Sequence, residues 1–255
     1  MNILINGIEV NYLDYGCSEG RDTVLILQGW GTRAELYTGL AGHLSKSMRV
    51  LLPELPGFGK TAEPDRPFSA DDYANFTLAF LKALGISKVH LIGHSNGGRI
   101  IMKLCTRENT GIEFGKLVFI DSAGIIAKKT LKKKIKQLCF KIGKLLLKPF
   151  PKALERYRNS RGSEDYRNAS PLMKQTLVKL INEDFKPLMP RIKQPALLIW
   201  GTQDKDTPIE HGRIMEKLLP DAGLVEVVGA GHYSYLEQPN FVYRVLDSYF
   251  GVKND

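Results

Sequence analysis

The sequence predicts an α/β fold: a mostly parallel, eight-stranded sheet flanked by helices, with a helical cap inserted late in the chain. Three observations predict it. Short apolar runs rich in Val, Ile and Leu alternate with longer stretches of helical period, which is the pattern of βα units. The chain has 255 residues, 43% of them hydrophobic, enough for one large domain with a sizeable core. One connection runs for about 75 residues, far beyond what a βαβ crossover needs, and so reads as an inserted unit.

In chain order, Ile3–Ile5 and Glu9–Asp14 read as an antiparallel hairpin leading into the sheet. Six further strands are expected at Thr23–Leu27, Arg49–Leu52, Lys88–Ile92, Lys116–Ile120, Ala196–Trp200 and Leu224–Val228. Helical stretches fall near 34–46, 70–84, 97–107, 208–219 and 239–249, with Gly85 and Gly251 placed as C-terminal stops. The long connection lies between Ile120 and Ala196. The chain accordingly divides into a first core part, 1–124, a cap, 125–193, and a second core part, 194–255.

The net charge of +9 is not spread evenly. Residues 125–193 hold 19 Lys and Arg against 5 Asp and Glu, while the remainder holds 17 against 22, so the basicity belongs to the insert. Within it Leu131, Ile135, Leu138, Ile142, Leu145 and Leu146 recur at three- and four-residue steps with lysines between them, as in a basic amphipathic helix. Its apolar face suits a roof over a pocket. Its charged face suits solvent, an anionic membrane surface or an anionic substrate. Nucleic acid is not an expected partner, because no aromatic platform interleaves with the charge and the rest of the chain is acidic.

The N-terminal residues show no secretory pattern, and no apolar run reaches the roughly 18 residues of a membrane span. Cys17, Cys105 and Cys139 are odd in number and lie in no metal-ligand spacing, which fits a reducing compartment. A cytoplasmic location is the expectation.

A hydroxyl becomes a nucleophile when a base takes its proton, a third group orients that base, and fixed donors receive the oxyanion. Ser95 lies in Gly93-His94-Ser95-Asn96-Gly97, after an apolar strand and before a helical run, the context of a nucleophile elbow. Of five histidines only His232 follows the last strand, in the loop Gly229-Ala-Gly-His232. His43, His90, His94 and His211 read as packing or surface residues. Asp204, just past a strand end, is the favoured orienting acid; Asp121, after another strand end, and Asp206, which also suits a helix cap near Pro208, are its rivals. The backbone N–H groups of Trp30, in Gln28-Gly-Trp-Gly31, and of Asn96 are the expected oxyanion donors.

These residues resemble the α/β-hydrolase fold superfamily over essentially the whole chain. LQGWGT resembles its oxyanion loop, ELPGFGKT the next strand-end turn, LIGHSNGGR the elbow, LIWGTQDKDTP the acid loop and GAGHYSYLEQP the histidine loop, all in the expected order. The resemblance implies a Ser95, His232, Asp204 triad and a helical cap after Ile120. Gln28 stands where members often have His, and Lys60 where many have Ser or Asp. Ser95 itself sets the chain apart from relatives with an Asp nucleophile.

The expected activity is hydrolysis of a small-molecule carboxylic ester through an acyl-enzyme, with no metal or organic cofactor. Carbon–carbon bond hydrolysis of ring-fission diketones and lactone hydrolysis use the same triad and stay open. A ligand-binding protein that keeps the fold without the chemistry is the reading from a different class.

Overall fold

In a computed structural model of the chain, residues 1–16, 21–126, 145, 147–150, 152–154, 157 and 163–252 are described. An eight-stranded sheet organises them. Strands β1 (Asn2–Ile5) and β2 (Ile8–Tyr15) form an antiparallel hairpin, turned by Asn6 and Gly7 at φ 50° and 81°, the left-handed pair that a two-residue turn requires. Next come β3 (Thr23–Leu27), β4 (Arg49–Pro53), β5 (Lys88–His94), β6 (Glu113–Ile120), β7 (Ala196–Gly201) and β8 (Ala222–Val227). The spatial order is β1-β2-β4-β3-β5-β6-β7-β8. β2 meets β4 antiparallel, and every pairing from β4 to β8 is parallel.

The parallel strands are covered on both faces, as their unbroken apolar runs require. Leu25, Leu27, Leu91, Leu117 and Phe119 face one side, against Tyr73, Phe80, Ile101 and Leu104 from helices α2 (Ala70–Ala83) and α3 (Asn96–Cys105). The alternate residues Val24, Ile26, Ile92, Val118 and Ile120 face the other, against Leu40 and Leu44 of α1 (Thr38–Leu44) and Val242 and Leu246 of the C-terminal helix, Pro239–Phe250. Period-two alternation thus feeds two cores from one sheet.

Helix ends follow local chemistry. Ser69 and Asp72 form a reciprocal capping box at the start of α2. Gly251, at φ 76°, closes the C-terminal helix as expected. Strand β6 starts at Glu113, three residues before the expected Lys116, because its register shifts against β5 between Val89 and Leu91. There the Lys116 N–H donates to His90 Nδ1 at 2.8 Å, replacing a ladder bond with a side-chain one.

Between β6 and β7 lie the α-helices α4 (Glu164–Asn168) and α5 (Pro171–Ile181), followed by a 3-10 turn, Met189–Arg191. Phe185, after α5, donates its N–H to Gly124 O at 2.9 Å, which holds the returning chain against the outgoing one. The basic amphipathic helix expected over 131–146 lies outside the described residues except for Leu145. The remaining helices are α6 (Ile209–Leu218), α7 (Ser234–Glu237) and the C-terminal helix, α8. No helix among the described residues is long and apolar enough to cross a membrane. Cys105 is a buried free thiol, whereas Cys17 and Cys139 lie outside the described residues.

Candidate active site

Parallel strands end together, so the loops after β3, β5, β6, β7 and β8 converge at one edge of the sheet. Ser95 follows β5 directly and initiates α3. Its backbone is held at φ 47° and ψ −110°, a conformation that costs about 1–3 kcal/mol unless its surroundings enforce it. They do so with three hydrogen bonds. The Ser95 N–H donates to Ile120 O at 3.1 Å, and its carbonyl accepts from Gly98 N at 3.1 Å and Ala123 N at 2.9 Å. The turn also needs Gly97: a Cβ there would sit 2.1 Å from Leu27 O, inside the backbone of β3.

His232, in the loop after β8, places Nε2 3.0 Å from Ser95 Oγ and Nδ1 2.8 Å from Asp204 Oδ2. Asp204 follows β7, and its side chain is fully covered. Its Oδ1 accepts the N–H groups of Asp206 and Thr207 at 2.8 and 2.9 Å, and the Thr207 hydroxyl lies 2.6 Å from Oδ2. Burial opposes ionisation of this carboxyl, but the bonds from His232 and Thr207 outweigh it and hold its pKa below the usual range. Burial likewise disfavours the His232 imidazolium, and the Asp204 carboxylate overrides that, leaving the His232 pKa raised. The arrangement favours an ionised carboxylate and a readily charged imidazole. A proton taken from Ser95 therefore has a stabilised place to go.

The rival acids have other jobs. Asp121, after β6, is buried and turns its carboxylate from the imidazole toward the neighbouring backbone: Oδ1 accepts from Gly201 N at 2.8 Å, and Oδ2 from Ser234 N at 3.0 Å and Ser234 Oγ at 2.6 Å. Burial, only partly offset by those donors, pushes its pKa up to about 6. Asp206 braces Asp204 through its backbone N–H, and the cap position of α6 belongs to Pro208, which offers no capping side chain.

The loop after β3 is built to hold backbone donors still. Gln28 Nε2 donates to Thr32 O at 2.6 Å, the Thr32 hydroxyl to Gly29 O at 2.9 Å, and the Gly29 N–H to the Tyr37 hydroxyl at 2.8 Å. Among the described residues, neither the Trp30 nor the Asn96 N–H donates to a protein acceptor.

His94, expected to pack or face solvent, is buried and acts as a strut. Its Nε2 donates to His232 O at 2.8 Å, so its Nδ1 accepts from the Tyr37 hydroxyl at 3.0 Å. Burial lowers its pKa to about 3, which keeps it neutral. Through Tyr37 it ties the Gly29 loop to the His232 loop. Tyr37 lies in no motif, and Thr32, the last residue of LQGWGT, was given no role of its own in the sequence reading. The other histidines serve packing: His43 reaches Asp247 at 2.7 Å, His90 braces the β6 bulge, and His211 lies in α6.

Asp204, Asp206 and His232 also bring possible metal-ligand atoms within 4.8 Å of one another. Asp204 Oδ2 and His232 Nδ1 are committed to each other, so this grouping is better explained as a carboxylate–imidazole pair than as a cation site.

With the geometry in place, comparison with known proteins adds the following. A family model described as the Alpha/beta hydrolase family matches residues 24–245. The pimeloyl-[acyl-carrier protein] methyl ester esterase of Chromobacterium violaceum is 27% identical over 244 residues, covering 89% of this chain and 93% of that protein. The 2-hydroxy-6-oxo-6-phenylhexa-2,4-dienoate hydrolase of Burkholderia cepacia is 26% identical over 255 residues, covering 88% and 86%. Among solved structures, a membrane phospholipase A described as a bacterial virulence factor superposes with a TM-score of 0.78 at 25% identity, covering 100% of this chain and 86% of that one.

Proposed function

Because the chain belongs to the alpha/beta hydrolase family, we propose that it is a serine hydrolase that cleaves a carboxylic ester through an acyl-enzyme. One observation carries the reading: the unbroken bond line from Asp204 through His232 to Ser95 Oγ, on a serine whose backbone is held in a strained turn.

In this reading His232 Nε2 takes the Ser95 proton as Oγ attacks the ester carbonyl. The N–H groups of Trp30 and Asn96 receive the oxyanion, and Asp204 stabilises the imidazolium. Collapse of the tetrahedral intermediate expels the alkoxide, which takes its proton from His232. Water then gives a proton to His232 and attacks the acyl carbon, releasing the acid and restoring Ser95. The net positive charge of residues 125–193 favours an anionic substrate or an anionic membrane surface. The likeness to a membrane phospholipase A supports a lipid ester among the candidate substrates.

Labelling with a fluorophosphonate probe tests the reading. Wild-type protein should label and the Ser95→Ala protein should not, with turnover of short p-nitrophenyl esters falling at least ~10⁴-fold. Labelling that survives Ser95→Ala would place the nucleophile elsewhere, and absent labelling in folded wild type would favour a binding protein; either result overturns the reading. The Burkholderia cepacia relative motivates a second substrate class, carbon–carbon cleavage of ring-fission dienones. Faster turnover of such a dienone than of any ester would move the assignment there.

A further inference from the structure

Helix α3 begins directly after the nucleophile, and its first turn contains no acid but does contain the cation Arg99. A positive charge there opposes the helix dipole, whose N-terminal end is already positive. Arg99 is half-buried, with its Nε out of reach of water, and burial lowers its pKa to about 10. A charge so placed ordinarily has a carboxylate against it. Among the described residues none lies within ion-pair distance of Arg99. The acid that favours its charged form is Glu183, whose carboxylate already lies 2.5 Å from Lys103 Nζ.

Arg99 Nη1 donates to Asn96 Oδ1 at 3.2 Å, which sets the guanidinium beside the amide. Two donors are left over. Arg99 Nε and Asn96 Nδ2 are both buried without an acceptor among the described residues, and Asn96 is only 1% exposed. A buried donor without an acceptor is destabilising until one is supplied. Two of them together, within about one turn of the nucleophile, are a strong demand for acceptor oxygens.

We propose that Arg99 and Asn96 form a subsite for a carboxylate carried by the substrate that Ser95 attacks. This rests on the serine-hydrolase reading and narrows its substrate class. With Nη1 engaged by Asn96, the remaining edge of the guanidinium, Nε and Nη2, is a fork that matches the two oxygens of a carboxylate, and Asn96 Nδ2 supplies a third donor. Ser95 and Arg99 are four residues apart, just over one helical turn or ~6 Å along the axis. The anionic group therefore sits a short chain away from the reacting carbonyl. Half-esters of dicarboxylic acids fit that description, and simple neutral acyl esters leave the donors unpaired.

The test compares p-nitrophenyl butyrate with mono-p-nitrophenyl glutarate, which carries a carboxylate at the far end of its acyl chain. Wild type should favour the glutarate ester in kcat/KM by about tenfold or more, mostly through KM, the ratio expected for one charge-assisted contact. Arg99→Gln should lose at least about tenfold more on the glutarate ester than on the butyrate ester, and Arg99→Lys should recover part of the difference. Free glutarate should compete with the butyrate ester in wild type and compete less in Arg99→Gln. Equal losses on both esters, or a wild type that prefers the neutral ester, overturn the subsite and leave Arg99 a structural tie to the Glu183 segment. If Arg99→Gln fails to fold, the wild-type preference and the glutarate competition decide on their own. If neither ester shows Ser95-dependent turnover, the hydrolase reading fails separately, and calorimetric binding of glutarate to wild type and Arg99→Lys still decides the subsite.

Discussion

Two strand ends of this sheet carry the same residue and use it in opposite ways. At the end of β7, Asp204 is buried but faces an imidazole, a threonine hydroxyl and two backbone N–H groups, and its pKa is lowered. At the end of β6, Asp121 is equally buried but, among the described residues, accepts its hydrogen bonds from neutral donors of Gly201 and Ser234, and its pKa is raised to about 6. Burial is the first influence on both, and a partner able to carry positive charge decides the sign. One carboxylate is therefore fitted to stabilise an imidazolium, while the other pins the start of α7 beneath the His232 loop.

The sharpest way to break this contrast is to neutralise each acid in turn. Asp204→Asn should lower kcat on a short ester by about 10⁴-fold, because the imidazole loses both its orientation and its counter-charge. Asp121→Asn should lower it by no more than about tenfold. The reverse ranking in steady-state assays would exchange the two roles.

Stability offers the next largest signal. A carboxyl whose folded pKa is raised contributes most below its unfolded pKa, near 3.8, and that contribution is lost as pH rises through about 6. Wild type should accordingly lose up to about 3 kcal/mol between pH 4 and 7 relative to Asp121→Asn, whose neutral amide does not titrate. Parallel denaturation curves across that range would show that Asp121 is not strained by burial.

The pH–rate profile sharpens the other half. Asp204 raises the His232 pKa, so the acid limb of kcat/KM should lie above the ordinary histidine value in wild type and move down in the residual activity of Asp204→Asn. An unmoved limb would detach the carboxylate from the imidazole. Thr207→Val, which deletes the hydroxyl on Asp204 Oδ2, should cost about tenfold in kcat. The smallest effect belongs to Asp206→Asn, within about threefold, since Asp206 serves Asp204 through its backbone N–H. A loss like that of Asp204→Asn would make Asp206 a second counter-charge.

Much of this was legible in the sequence, and the limits are physical. The strand-to-helix context of Ser95, the late position of His232 and the alternation of apolar runs each reflect a constraint local to a few residues, and all eight strands were visible for that reason. Asp121 and Asp204 both read as strand-end acids, because spacing gives a residue's position and not where its carboxylate turns. The positive φ of Asp121, 44°, which directs it toward Ser234, leaves no mark on its neighbours in the chain. The roles of Tyr37 and His94 depend on contacts 57 and 138 residues apart, beyond any periodicity. The boundary of β6 was missed because a bulge hides three residues of a strand behind a glycine.

The Tyr37–His94 strut also bears on how this scaffold can be rebuilt. The loop after β3 and the loop that carries His232 share a single buried truss, from Gly29 N through the Tyr37 hydroxyl and the His94 ring to His232 O. Grafting either loop from a relative therefore imports half a joint. Chimeras that exchange the two loops together with positions 37 and 94 should keep their function, and those that exchange one loop alone should lose it, so the exchangeable module here is a spatial one that no contiguous cut of the gene contains.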